Sequence, residues 1–256
     1  ESRIRQDLLL REGEPYAQQL ADESMRNLRD LYILALVKIV AVRTQDPGAV
    51  GVIVYTRDLW SLRFEQGFEG AGSTYAANGR LVERNFLGRG QVLVVRGSLD
   101  PQRFSVGQSF ADPRLFGQEL SLAESLDVIW KRSSVETEGS TGTLAFGRPF
   151  YNLAQRSACR LYASYADYVF RDTRAGEVVG YAVAPERRGQ ECDLGSDDCL
   201  ARVWRSRFLQ LEATYDYRVG TLSKHIFTLG AEVVDRRVQP NAETALTPEQ
   251  EPLFRS

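Results

Sequence analysis

Two periodicities divide the chain. From Ile4 to Leu31 the apolar positions Ile4, Leu8, Leu20, Leu28 and Leu31 fall at helix-face spacings. They predict two helices interrupted at Gly13-Glu14-Pro15, the second of them amphipathic. The segments from Tyr32 to Arg43 and from Val50 to Thr56 then read as strands joined by the turn-rich Gln45-Asp46-Pro47-Gly48. After Arg57-Asp58-Leu59-Trp60 the period becomes two: Leu62, Phe64 and Phe68 alternate with Arg63, Glu65 and Gly67. The clearest alternation runs from Leu209 to Val219. Leu209, Leu211, Ala213, Tyr215, Tyr217 and Val219 share one face; Gln210, Glu212, Thr214, Asp216 and Arg218 share the other. A soluble sandwich and a membrane barrel both produce such a pattern, so alternation alone leaves both open.

Short turns punctuate the alternating region. Val82 to Gly90 ends one strand, turns through Asn85-Phe86-Leu87-Gly88-Arg89-Gly90 and starts another at Gln91. Asp112-Pro113-Arg114-Leu115-Phe116-Gly117 and Arg148-Pro149-Phe150-Tyr151-Asn152 repeat the device, and Val219 to Lys224 falls on the same side of the meander. The other side carries Glu69 to Ser73, Ser98 to Gln102, Lys131 to Ser134, the long Arg171 to Leu200, and Asp235 onward. Several strands approach or pass the roughly 9–11 residues of a tilted membrane strand. If the helical module lies in the periplasm, the first barrel strand runs outward and the long loop lands outside the cell, the arrangement outer-membrane barrels prefer. Trp130 and the pair Tyr215/Tyr217 suit an interfacial aromatic girdle; ordinary aromatic strand packing accounts for them as well.

Composition narrows the class without naming a partner. The 256 residues carry a formal net charge of -2, which gives no ground for a nucleic-acid partner. Eleven Tyr and twelve Phe against one Met form a β-leaning balance. The best apolar run, Leu31 to Val42, is too short for a membrane helix and is broken by Lys38. The chain starts at Glu1 without a basic-then-apolar leader, so a removed signal peptide or a fragment is expected.

Cys192 and Cys199 bracket a polar loop, Asp193 to Asp198. A disulfide there would constrain the unfolded chain by about 2.5 kcal/mol and imply an oxidising compartment; two free thiols are the alternative. Cys159 lies in a strand pattern as a small buried or lipid-facing residue. Catalytic chemistry finds no support: the single histidine, His225, sits beside a turn, and no Ser/His/Asp set can be assembled. No enzyme, cofactor or metal is expected. The acidic loop lacks calcium-loop spacing, and Gly88-Arg89-Gly90 opens no helix and is not a phosphate loop.

Taken together these motifs resemble the outer-membrane assembly factors with POTRA domains, typified by BamA and TamA and sometimes called bacterial surface antigens. The similarity rests on Leu8-Leu9-Leu10-Arg11-Glu12-Gly13-Glu14-Pro15-Tyr16, on Glu23-Ser24 and Leu28-Arg29-Asp30-Leu31 followed by two strands, and on the turn motifs at Glu83 to Gly90, Asp112-Pro113 to Gly117 and Arg148-Pro149-Phe150-Tyr151.

The resemblance implies a mostly β chain. Residues 1–58 would be the C-terminal part of a periplasmic POTRA (α+β) domain, and residues 59–256 the N-terminal part of an antiparallel up-and-down transmembrane β-barrel, with about nine of an expected sixteen strands. The family's late Arg-Gly-Phe motif and terminal aromatic strand are absent, so a fragment ending inside a loop near Ser256 is expected. The resemblance also implies roles. Ile33 to Val42, with Ile33, Leu36 and Val40, would be an edge for β-augmentation by a client. The first barrel strand, with Leu62, Phe64 and Phe68, would form a lateral seam. Glu212, Asp216 and Arg218 would face the lumen, as a structural network or as a transport path. Expected partners are the outer-membrane lipid bilayer, unfolded outer-membrane client proteins, and periplasmic chaperones or accessory lipoproteins, with no nucleic acid. The rival functions are a two-partner secretion translocator and a soluble β-rich binding domain.

Overall fold

The computed structural model describes residues 2–31, 33–71, 74–174, 177–194, 196, 198–220 and 223–241. The N-terminal module holds α1 (Ser2–Asp7), α2 (Gln18–Arg29) and a hairpin of β1 (Leu34–Arg43) and β2 (Val50–Asp58). Ala21, Ser24 and Leu28, spaced three and four apart, form the fully buried stripe of α2. Leu28 packs with Ile33, Leu34 and Val37, and Ile4, Leu8, Met25, Leu31 and Val54 surround them. α1 stops at Asp7, well short of the expected break at Gly13. The reason is local: the Leu9 amide donates to Ser24 Oγ (2.8 Å) instead of continuing the helical ladder, so Leu8 to Leu10 lie extended along α2. β1 starts two residues later than the pattern suggested, and Tyr32 lies outside the described residues.

The alternating region forms one antiparallel sheet of nine strands: β3 (Leu62–Ala71), β4 (Thr74–Phe86), β5 (Gln91–Leu99), β6 (Arg103–Asp112), β7 (Ser121–Lys131), β8 (Thr137–Arg148), β9 (Ser157–Arg171), β15 (Val203–Val219) and β16 (His225–Pro240). Each pairs with its neighbours in chain order, the up-and-down connectivity of a barrel. β3 and β16 are its edges, and the barrel is not closed among the described residues.

The excursion between β9 and β15 is more structured than the loop expected from sequence. β10 (Thr173–Arg174) pairs with β11 (Glu177–Val178), and β12 (Gly180–Ala182) lies between β13 (Glu191–Cys192) and β14 (Cys199–Ala201). Cys192 and Cys199 are bonded, with Cα atoms 5.8 Å apart; Gly195 and Asp197 of their loop lie outside the described residues. β16 continues through Asp235 to Pro240, where a loop was expected, because its polar end stays paired with Trp204 to Leu209 of β15. Gly72 and Ser73 of the first turn, and Thr221 and Leu222 of the turn before β16, also lie outside the described residues.

The sheet is inside out for a water-soluble protein. On β15 the apolar face is the exposed one, with Leu209 at 44%, Leu211 at 48% and Tyr215 at 48%, while Gln210, Glu212, Thr214, Asp216 and Arg218 are half-buried on the concave side. Phe64 and Phe68 of β3, Leu81 of β4, Val95 of β5, Val106 of β6, Leu126 of β7 and Leu144 of β8 continue the exposed apolar face. Water would penalise such a surface; hydrocarbon does not. At about 3.3 Å per residue and a tilt of about 40°, the run from Leu209 to Val219 spans roughly 25 Å, the height of an outer-membrane apolar band. Among the described residues no helix is long and apolar enough to cross a membrane.

Ion pairs join neighbouring and next-nearest strands on the concave face. Glu65 pairs with Arg80, and Arg160 meets Glu212 at 2.8 Å. Arg96 reaches Asp127 (Nε to Oδ1 2.8 Å) across Gly107, where any side chain would collide with the Asp127 carboxylate. Leu211→Arg, in the outer band between its midplane and its disulfide-side edge, should therefore cost about 2 kcal/mol of folding in lipid vesicles. Glu212→Gln, one residue on but facing inward, should cost less than about 1 kcal/mol. Urea titration of vesicle-folded protein measures both, and equal costs would place the two faces in the same solvent.

Candidate functional site at the helix side of the barrel

The turns that stand out in the sequence converge on the side where the N-terminal helices lie. In the first, the Gly88 amide donates to the Asn85 carbonyl (2.8 Å) and the Gly90 amide to Asn85 Oδ1 (2.9 Å). Leu87, Gly88 and Gly90 all have positive φ, which the two glycines adopt without strain. Gln91 then donates to Asp112 Oδ2 (2.8 Å), tying this turn to the second. Asp112 Oδ1 accepts the Arg114 amide at 2.9 Å, the Asx geometry that lets the chain leave β6 around Pro113. Phe116 and Gly117 continue with φ of 54° and 75°.

Arg114 is the centre of the site. Its guanidinium donates from Nε to Asp7 Oδ1 of α1 (3.0 Å), and both side chains are about 6% exposed. It also lies 3.9 Å from the centroid of the Tyr151 ring in the third turn, whose hydroxyl donates to the Pro113 carbonyl (2.5 Å). One arginine thus joins the helical module and two barrel turns. The third turn runs from Pro149 to Arg156, longer than expected, because Gln155 folds back on it: its Nε2 donates to the carbonyls of Pro149 (3.0 Å) and Ser157 (2.7 Å). α2 grips the same turn. The Leu153 amide donates to Glu23 Oε1, and Asn27 Nδ2 to the Tyr151 carbonyl (3.3 Å). Lys224 Nζ reaches the Leu153 carbonyl (2.7 Å) from the last turn. A cleft of about 1090 Å³ opens between α2 and these turns, lined by Leu20, Glu23, Arg26, Gln155, Arg218 and Lys224.

The residues expected to share a function occupy separate regions. Asn85, Gly88, Gly90, Asp112, Pro113 and Gly117 sit in the helix-side turns, and Phe86 closes β4 just before them. Leu62, Phe64 and Phe68 lie on the outer face of edge strand β3. Leu36 and Val40 are exposed on β1, which pairs only with β2 among the described residues. Ile33 departs from its expected place: it precedes the strand, its side chain is in the core, and its carbonyl accepts the Leu59 amide (2.8 Å). The free edge of β1 therefore begins at Leu34.

Glu212, Asp216 and Arg218 do share the concave face, each tied to a neighbour. Glu212 holds Arg160, Asp216 accepts from Thr228 Oγ1 (2.6 Å), and Arg218 lies 3.8 Å from the Phe150 ring centroid. Sequence reasoning missed the contacts of Asp7 with Arg114 and of Glu23 with Leu153, which join residues over a hundred positions apart and leave no local trace. Among the described residues no group of three or more His, Cys, Asp or Glu side chains is placed to hold a metal ion.

Comparison with known proteins agrees with this architecture. Residues 85–219, more than half of the chain, match the Omp85 superfamily domain. The chain belongs to the Omp85 superfamily. That membership makes it an outer-membrane β-barrel protein. Among solved structures it is similar to BamA from Haemophilus ducreyi lacking POTRA domains 1–3, at a TM-score of 0.51 and 13% identity over 91% of this chain and 52% of that one. CdiB from Acinetobacter baumannii gives a TM-score of 0.47 and 14% identity over 93% and 43% of the two chains. No curated protein sequence gives a significant match. The chain thus spans about half the length of the BamA structure, and at this identity the likeness is one of fold.

The Omp85 barrel and the helical module are joined at Arg114, which sets a test. Removing one partner of a buried ion pair costs about 3–5 kcal/mol. Arg114→Ala should therefore release α1, speeding hydrogen exchange at Leu8 to Leu10 while the protection of β15 is retained. Unchanged exchange in that segment would show that Arg114 does not hold the module.

Proposed function

We propose that this Omp85 chain is part of a non-enzymatic factor that assembles or inserts other β-barrel proteins into the bacterial outer membrane. On this reading residues 1–58 are the C-terminal part of a periplasmic POTRA domain and residues 59–256 the N-terminal part of the barrel. The observation that carries it is the pairing of two free strand edges with a latched module. Among the described residues β3 offers an unpaired edge in the plane of the apolar band, and β1 offers one in the helical module.

Unpaired strand edges take up extended chains through backbone hydrogen bonds, with little regard to sequence. An unfolded client strand would add first to β1, beyond Leu34, and then to β3 beside Phe64 and Phe68, where the bilayer solvates its outer face. The helix side is then periplasmic and the disulfide-bearing excursion external, which accords with a bonded Cys192–Cys199. Chaperones or accessory lipoproteins would meet the module from the periplasm. On the concave face, Glu212, Asp216 and Arg218 act as a bracing network.

Photo-crosslinking groups at Leu36, Val40, Phe64 and Phe68 of the full-length protein should capture unfolded barrel clients in cells, while one at Glu212 should not. Depleting the protein should lower the level of other barrel proteins in the outer membrane. Unchanged barrel levels with loss of a single secreted protein would overturn the insertion reading in favour of a two-partner secretion translocator.

A further inference from the structure

On the side of the barrel opposite the helices, the outer face changes character within one row of residues. Along β15 the membrane-facing positions run Leu211, Leu209, Arg207, Arg205. Tyr165 lies opposite Leu209 on β9, and Asp167 opposite Arg207; on β16 Arg237 stands opposite Arg207. Arginine in the apolar band is costly, by about 2–4 kcal/mol at the midplane and almost nothing at the interface. The row through Asp167, Arg207 and Arg237 therefore marks the headgroup level of that leaflet.

The two arginines of β15 are held in an unusual way. Asp167, 8% exposed, accepts from Nε of Arg205 (2.5 Å) and, through its other oxygen, from Nε of Arg207 (3.0 Å). A single carboxylate thus fixes both guanidinium groups by their inner nitrogens. Both side chains stay partly exposed, at 42% and 49%, while engaging Asp167 through Nε. The trio carries a net charge of +1. Neighbouring charges cancel: Arg171 is bound by Glu138 (2.7 Å) and Arg237 by Asp235 (3.0 Å). Beside the trio a recess of about 310 Å³ opens on the sheet, lined by Val128, Gly139, Ser140, Tyr165, Asp167 and Arg205. Below it Tyr165 and Leu209, 45% and 44% exposed, present apolar surface.

We infer that Arg205 and Arg207 form a docking site for the phosphate of an anionic membrane lipid in the leaflet on the disulfide side, with the acyl chains lying over Tyr165 and Leu209. Two guanidinium groups oriented by a common carboxylate present paired N–H donors, the geometry that binds phosphate most strongly. A lipid is favoured over a soluble phosphate because the cationic pair stands at the end of an apolar surface facing the bilayer.

The test uses the full-length protein in nanodiscs of phosphatidylcholine with a minor fraction of phosphatidylglycerol, its retained lipids being identified by native mass spectrometry. Wild-type protein should retain phosphatidylglycerol about tenfold over its share of the bilayer, equivalent to about 1.4 kcal/mol. The R205Q/R207Q variant should lose that enrichment, and Arg57→Gln in the helical module should keep it. Should the double variant fail to fold, Arg207→Gln alone should reduce the enrichment by about threefold. No enrichment in wild type, or full enrichment in the folded variants, overturns the site. Displacement of the lipid by inorganic phosphate would instead assign a soluble-phosphate site and overturn lipid docking, whereas the outcome of client crosslinking leaves this inference untouched.

Discussion

The whole structure depends on one requirement of a membrane-spanning chain, that every backbone N–H and C=O in the apolar layer must find its partner within the protein. Among the described residues, nine strands paired in chain order meet it for all but the outer edges of β3 and β16. Because pleating sends successive side chains to opposite faces, the same pairing sorts the residues into an outer apolar set and an inner polar set. The apolar set is then exposed and the polar set half-buried, the reverse of a soluble sandwich. That inversion also explains the concave ion pairs: Glu65–Arg80 and Arg160–Glu212 hold adjoining strands, and Arg96–Asp127 spans a third strand between them, where a solvated interior makes charge affordable.

Where the strands leave the membrane, the requirement relaxes and other interactions take over. At the helix side, the turn built on Asp112 carries Arg114 to α1 and the third turn carries Tyr151 and Leu153 to α2, so the barrel and the module meet there through polar contacts. Contacts of that kind hold two bodies in register and can be released without exposing a hydrophobic core. At the disulfide side the strands overrun the apolar band, and β9, β15 and β16 stay paired well beyond it. There charged residues occupy outward positions that would be costly lower down, and Asp167 with its two arginines is the tightest group among them.

Much of this was legible in the chain. Period-two alternation from Leu62 onward located the strands, because a residue's face in a pleated strand depends only on its parity. Turn chemistry at Asn85 to Gly90 and Asp112 to Gly117 located the breaks, because Asx turns and positive-φ glycines are local. The helix-face spacing of Leu20, Leu28 and Leu31 located α2. Readings that relied on extending a pattern went astray: α1 stops early because Ser24 captures the Leu9 amide, Ile33 is drawn into the core by Leu28 and Val37, and β16 outlasts its apolar residues because β15 keeps pairing with it.

What the sequence determined by itself is thus everything that depends on near neighbours: strand positions, the division of residues between two faces, and the sharp turns. Which of the two faces meets the membrane needed the curvature of the paired sheet, since an alternating strand reads the same in a sandwich and a barrel. Contacts over long separations, Asp7 with Arg114, Glu23 with Leu153, and Asp167 with Arg205 and Arg207, exist only once the helices have docked or the strands are in register. Each partner is an ordinary residue until the fold brings the other within hydrogen-bond reach, and for that reason only the tertiary structure could decide them.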